Sequence, residues 1–293
     1  MQRTKPRLRI GLPVYNGERF LAQAIESLLG QTFSDFHLVI ADNASTDRTE
    51  EICRSYVQRD RRISYQRSAV NRGAAWNFNC VARLADAEYF KWAAYDDLCA
   101  PDMVRRCIDV LDGNPRVVLC YTKSHIIDAD GNVLSAYRNP VDATAVTPYE
   151  RFRDVLTNLT LCHMLFGVIR LDVLHRTRLI GGYPTSDKIL LAELALRGVF
   201  HEIDDSLFYR RDHPARPARA SRSAAELAAW FDPSNAGTMQ FLRWTRFVNH
   251  LRAIARVPIP LDQKLRCTSF LLQRPVRRWA ARLWQSESDT VHP

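Results

Sequence analysis

The sequence predicts an α/β domain built on a mostly parallel sheet flanked by helices, followed by a C-terminal helical extension. Strand-like and helix-like patterns alternate through the first 123 residues, which is the signature of βαβ units. Acidic residues stand where two of the strands end, Asp42 after 36–41 and Asp96-Asp97 after 89–95. Beyond residue 223 the pattern turns helical and basic.

The elements follow in order. Residues 8–14 read as an apolar strand, and 18–29 as an amphipathic helix with Phe20, Leu21, Ala24, Ile25 and Leu28 on one face. A strand at 36–41, a helix at 47–58 and a short strand at 63–66 come next. Then follow a helix at 74–84, a strand at 89–95 and a helix at 101–111 with Pro101 in its first turn, a favoured place for proline. A strand at 117–123 closes this half. Asp128-Ala129-Asp130-Gly131-Asn132 is a hairpin signal between two short β pieces. Residues 148–156 are expected helical, 166–170 extended, 187–196 helical up to Gly198, and 199–209 a strand. Residues 211–223, rich in Arg, Pro, Ala and Ser, read as a mobile loop. The implied organisation is a domain over 1–223, with halves at 1–123 and 124–223, and an extension over 224–293. In the extension Trp244, Phe247, Val248, Leu251 and Ile254 recur at helical spacing, as do Leu265, Leu272, Val276, Trp279 and Leu283. The arginines among them suit an anionic lipid surface, while the apolar stripes suit packing on the catalytic domain or a second subunit.

Composition narrows the function. A chain of 293 residues with 46% hydrophobic content supports a full core. The formal charge of +9 favours anionic partners, but no nucleic-acid-binding motif accompanies it. Seven cysteines without a C-x-x-C pair indicate neither a zinc cluster nor a disulfide framework. With no signal-peptide pattern and no apolar run long enough to span a bilayer, a cytoplasmic protein is expected, with the inner membrane face as a place of work.

In an open α/β sheet, ligands bind beyond the carboxyl ends of the strands, so Asp42 and Asp96-Asp97 should converge on one pocket. Paired carboxylates there suit a hard divalent cation, Mn²⁺ or Mg²⁺, that completes its shell with water and phosphate oxygens. A diphosphate-bearing ligand follows. Pro13-Val14-Tyr15-Asn16-Gly17 sits where a strand turns into a helix, a place for phosphate at the helix N-terminus or an ordinary βα turn. Asp42 can accept a base N–H, or close an Asx turn while Ser45 caps the next helix. Arg72 can reach base or diphosphate, and Gly73 lets backbone approach closely.

These segments, Ile10-Gly11-Leu12-Pro13-Val14-Tyr15-Asn16-Gly17, Ala41-Asp42-Asn43-Ala44-Ser45-Thr46-Asp47, Asn71-Arg72-Gly73 and Asp96-Asp97, resemble the ordered landmarks of family-2 glycosyltransferases with the GT-A fold. The resemblance covers about residues 8 to 213 and implies transfer of a sugar from a nucleotide diphosphate donor to a glycan or lipid-linked hydroxyl. It places Pro13 and Tyr15 at the nucleoside, with the tyrosine beside the base; further along the helix after Gly73, Trp76 and Asn77 can touch the donor sugar, with Trp76 equally suited to the core. It makes Asp96 the metal ligand of a D-x-D-type motif whose first acidic position is here Ala94. That departure also leaves open a catalytically silent sugar-nucleotide-binding protein. His213 is expected at the metal or phosphates, and Arg210 and Arg211 at the diphosphate. Asp187 matches the catalytic base, although Ser186-Asp187 is also a good helix-capping pair. A sugar nucleotidyltransferase would want a Gly-rich basic loop after the first strand, and residues 12–17 do not supply it.

Overall fold

The computed structural model describes residues 5–214, 223–236 and 241–273. Its first half alternates β1 (Leu8–Val14), α1 (Leu21–Leu29), β2 (Phe36–Asp42), α2 (Thr49–Arg59), β3 (Ile63–Arg67), α3 (Ala74–Arg83), β4 (Tyr89–Trp92), β5 (Leu98–Cys99) and α4 (Met103–Gly113). The second half carries β6 (Val117–Ile127), β7 (Val133–Tyr137), α5 (Pro148–Asn158), β8 (Val168–Arg170), α6 (Leu171–His175), α7 (Ser186–Arg197) and β9 (Val199–Arg211). The chain continues through α8 (Ala224–Phe231) and α9 (Leu242–Arg256) to a last helix, α10, over 261–273.

Among the described residues nine strands form one sheet in the order β3-β2-β1-β4-β8-β6-β9-β5, with β7 paired to β6. β3, β2, β1 and β4 are mutually parallel, β8 runs against both neighbours, and β6 and β9 are parallel again. Strands β1 and β2 are buried along almost their whole length, as expected for parallel strands covered on both faces. Gly11 has a packing reason: a Cβ there would lie 2.6 Å from Val81 Cγ2 of α3. The helix therefore sits directly on the central strand.

Several element ends differ from expectation for local reasons. β4 stops at Trp92, opposite Gly11, because the chain then leaves the ladder to form the turn that carries Asp96 and Asp97. α1 begins at Leu21 rather than 18, since the Glu18 backbone N–H and carboxylate are both tied to the 47–48 turn. α4 begins at Met103, and Pro101 stands before it, its carbonyl receiving the Thr32 N–H. Residues 163–166 form a 3₁₀ turn, so the extended segment is only β8. Of the expected mobile loop, Arg211 ends β9 and 212–214 are described, while 215–222 lie outside the described residues. α8 was not foreseen as a separate element; a capping box of Ser223 with Glu226 starts it.

The C-terminal helices pack on the second half. α9 buries Ala253 and Ile254, with Phe247 and Leu251 against the core, and α10 buries Cys267, Phe270 and Leu271. Phe270 meets Tyr149 of α5 edge-on. Trp244 and Leu265 remain exposed, and Val276, Trp279 and Leu283 lie outside the described residues.

Candidate functional site

The turn after β1 is fixed to the turn after β2. Asn16, in the left-handed region at φ 51°, donates its N–H to Ser45 Oγ at 2.9 Å and accepts from the Thr46 N–H through its side chain. Gly17 donates to Thr49 Oγ1 at 2.8 Å and packs against Tyr95, which brings the turn after β4 alongside. Pro13 is buried in β1 opposite Ala41, whereas Tyr15 stands 40% exposed at the rim. Ser45 thus serves the β1 turn and does not cap α2. Asn77, expected near a donor sugar, is buried and ties β1 to β2 by donating to the carbonyls of Val14 and Ala41.

Asp42 takes the turn-forming role. Its Oδ1 accepts the Ser45 N–H at 2.8 Å, Oδ2 accepts the Tyr65 hydroxyl at 2.7 Å, and Arg67 Nε lies 3.4 Å away. Burial, then the bond to Asp42, pushes the Tyr65 phenol well up, so it stays a donor. The Asp42 side chain has no exposed surface. Contact with a base therefore requires Arg67, its longest and partly exposed partner, to move aside.

Arg72 is held in place by its surroundings: its N–H donates to Asn43 Oδ1 and its guanidinium lies 4.9 Å over the Trp76 ring. Gly73 is needed for two reasons. Its φ is 83°, and a Cβ would stand 2.6 Å from the Phe231 carbonyl oxygen. The close approach is made by the protein's own segment after α8, which also bonds Gly182 through Asn235 at 2.6 Å. We expect Gly73→Ala to cost about 2–3 kcal/mol, combining left-handed strain with the displaced segment. Urea denaturation reads this directly, and an unchanged midpoint would show that 231–233 does not seat on Gly73.

The turn after β4 meets the end of β9. His213 Nε2 lies 3.0 Å from Asp96 Oδ2, and its ring packs on Phe20 with centroids 4.8 Å apart. Asp97 Oδ1 accepts the Arg211 N–H at 2.9 Å. Burial, and then the neighbouring Asp96 charge, pushes the Asp97 carboxyl up from its ordinary range. Arg211 itself is a correction. Expected at a diphosphate, it is fully buried, its guanidinium donating to the carbonyls of Asp96, Asp128 and Ala129 and to Gln23 Oε1. Alternation along the strand sends Arg210 to the other face, where its charge acts on Asp97, Cys162 and His163.

The second half contributes Asp187 at the start of α7. The N-cap is Thr185, in the left-handed region, which makes no side-chain capping bond, and Asp187 Oδ1 accepts the first-turn Lys188 N–H at 2.9 Å. Half-buried, Asp187 lies beside Cys162, whose thiol is raised well above its ordinary pKa by desolvation and then by this carboxylate. Next to it His163, missed in the sequence reading, holds Ser124 Oγ at 2.7 Å. Burial lowers His163 to about 3, so the ring is neutral. The one signal for it was a lone histidine interrupting the apolar run 159–169.

Asp96 and His213 fit a divalent ion. Their 3.0 Å separation is close to that of neighbouring ligands around an octahedral ion with bonds of about 2.1 Å. Among the described residues no group of three metal-capable side chains exists, so ligand oxygens would have to complete the shell.

A sequence model described as glycosyl transferase family 2 matches residues 10–177. The chain belongs to glycosyltransferase family 2. The chain is 30% identical over 159 residues to chondroitin synthase of Escherichia coli, covering 54% of this chain and 22% of that one. It is 29% identical over 136 residues to an uncharacterized glycosyltransferase of Methanocaldococcus jannaschii, covering 46% and 47% of the two. The chain thus spans less than half the length of these curated relatives. S. aureus TarS 1–349 in complex with UDP-GlcNAc superposes with a TM-score of 0.68 at 16% identity, over 92% of this chain and 72% of that one. Mannosyltransferase PcManGT from Pyrobaculum calidifontis, in complex with GDP-Man and Mn2+, gives 0.53 at 17%, over 95% and 84%. These likenesses show the GT-A fold. Among the described residues no helix is long and apolar enough to cross a membrane.

Proposed function

We propose that this glycosyltransferase moves a sugar from a UDP-sugar to a hydroxyl of a glycan or lipid-linked acceptor, with inversion and with a divalent metal. The observation that carries the reading is the Asp96–His213 pair at the carboxyl edge of the sheet, near the turn after β1. Tyr15 lies beside the base, Asp42 accepts a base N–H once Arg67 swings away, and Arg72 and Arg210 face the diphosphate. Asp96 and His213 would hold Mn²⁺ or Mg²⁺, which when bound neutralises phosphate charge and eases departure of the nucleotide. The 1–223 region would then be the catalytic unit, with donor binding in 1–123 and acceptor binding in 124–223.

Asp187 is assigned the general base. Its carboxylate takes the proton of the acceptor hydroxyl as that oxygen forms a bond to the anomeric carbon. The bond from that carbon to the nucleotide breaks on the opposite face, and its electron pair leaves with the diphosphate. The reading is supported because Asp187 is half-exposed at the start of α7 and because Arg210 stands within electrostatic reach of both halves.

Thermal-shift titration with UDP-, GDP- and dTDP-sugars, with and without Mn²⁺, tests the donor. We expect stabilisation by UDP-sugar plus metal; equal shifts with all three nucleotides, or none needing metal, would overturn the assignment. Slow metal-dependent donor hydrolysis would separate an enzyme from a silent binding protein.

A further inference from the structure

On the edge of the sheet opposite the donor site, the protein carries a basic depression that no carboxylate lines among the described residues. An open cavity of about 630 Å³ is lined by Arg178, Arg252, Ala255 and Arg256. A second, of about 560 Å³, shares Arg178 and Arg256 and adds Arg83 and His175. Neither lining contains a carboxylate. Its place follows from the topology: Arg83 ends α3, ten residues and about 15 Å of helix rise from Gly73. His175 Nε2 bonds the neighbouring Ala82 carbonyl, at the same end.

The cluster is dense: four arginines and a histidine line two adjoining depressions. Arg7, Arg48, Arg54, Arg62, Arg106 and Arg176 each reach a carboxylate within 3.1 Å. Among the described residues, Arg83, Arg178, Arg252 and Arg256 form no ion pair. The loop between Arg83 and α9 is also stiffly held. Asn79 clamps Ile180 through its N–H and carbonyl at 2.9 and 2.7 Å, Thr177 Oγ1 accepts the Leu179 N–H, and Arg178 donates to Asn249 at 3.0 Å. Leu179 sits at φ 58°, a conformation that a bulky residue adopts only when its surroundings impose it. Clustered guanidinium groups without a carboxylate partner favour a multiply charged oxyanion such as phosphate, whose oxygens accept in pairs from the planar fork.

We propose that this depression is a second anion site, separate from the donor pocket, that takes a phosphate or diphosphate group. The group comes either from a soluble phosphorylated compound or from a phospholipid headgroup.

The test uses the full chain in metal-free, low-salt buffer, titrated with inorganic pyrophosphate by calorimetry. Saturable binding is expected, weakened at least about tenfold in the Arg252→Ser/Arg256→Ser double variant, whose side chains are exposed. Arg106→Ser, an exposed arginine that pairs with Asp205 and lines neither depression, should leave it within about twofold. Co-sedimentation with phosphatidylglycerol vesicles but not phosphatidylcholine, lost in the same double variant, assigns the site to a lipid headgroup. Pyrophosphate binding without vesicle binding assigns it to a soluble ligand. The proposal fails if neither probe binds, or if the double variant binds pyrophosphate as the wild type does.

Discussion

Asp96→Ala is expected to lower sugar transfer by at least about 10³-fold while leaving the fold nearly as stable as before. The carboxylate is one of two side chains facing a proposed ion, and its removal leaves His213 alone. A single neutral imidazole cannot balance the charge that grows on a departing diphosphate. Asp96 makes no other side-chain bond that the fold requires, since its backbone carbonyl, not its carboxylate, receives Arg211. Loss of activity should therefore come without a large loss of melting temperature. Nucleotide binding separates the possible causes. In the wild type Mn²⁺ should strengthen UDP binding, and in Asp96→Ala the metal should make no difference. If the variant kept normal turnover, the metal-assisted reading would fall, and if it kept metal-dependent UDP binding but lost turnover, Asp96 would act on the sugar instead.

The alternation of apolar runs and helical stripes made the sheet legible, because β1, β2 and β4 are covered on both faces and so read as unbroken apolar segments. Three of the four landmark turns were legible for the same reason, each lying where a buried strand must change direction at one edge, whereas Asn71-Arg72-Gly73 follows the half-exposed β3. What the sequence could not show was how each polar group is consumed once the turns meet. Asp42 looks from its position like a ligand-facing carboxylate, yet Tyr65 and Arg67, on a strand two places along the chain, enclose it. Gly73 looks like an approach point for substrate, and the approach is made by residues 231–233. The pairing of Asp96 with His213, 117 residues apart, came from the family resemblance and not from spacing. Nothing local distinguished Arg210 from Arg211. Only the strand phase, set by where β9 pairs with β6, decides which of the two is half-exposed and which is buried.

That difference yields the second large effect: Arg211→Met is expected to destabilise the protein by about 3–5 kcal/mol, whereas Arg210→Met should leave stability nearly unchanged and reduce transfer. Arg211 is enclosed on all sides, with Phe20 lying 4.7 Å below its guanidinium. Its donors reach the Asp96 turn, two carbonyls of the hairpin turn between β6 and β7, and Gln23 of α1. Four segments distant in sequence are therefore joined through one side chain. Methionine fills much of the volume but leaves the buried Asp96 carbonyl and the half-buried Ala129 carbonyl without this donor, each costing about 1–3 kcal/mol before relaxation and water entry offset part of it. In a chain of this size the loss should lower the melting temperature by about 10 °C. Lysine should rescue little, because a single ammonium cannot span acceptors arranged for a planar fork. Calorimetry of the three variants checks the assignment, and an Arg211→Met protein within about 1 kcal/mol of wild type would refute it. Because the same guanidinium holds the Asp96 carbonyl, the destabilised variant should also lose transfer. Saturating UDP with Mn²⁺ should then restore part of its melting temperature, since a ligand bound only to the folded state adds stability to a loosened site as it does to an intact one.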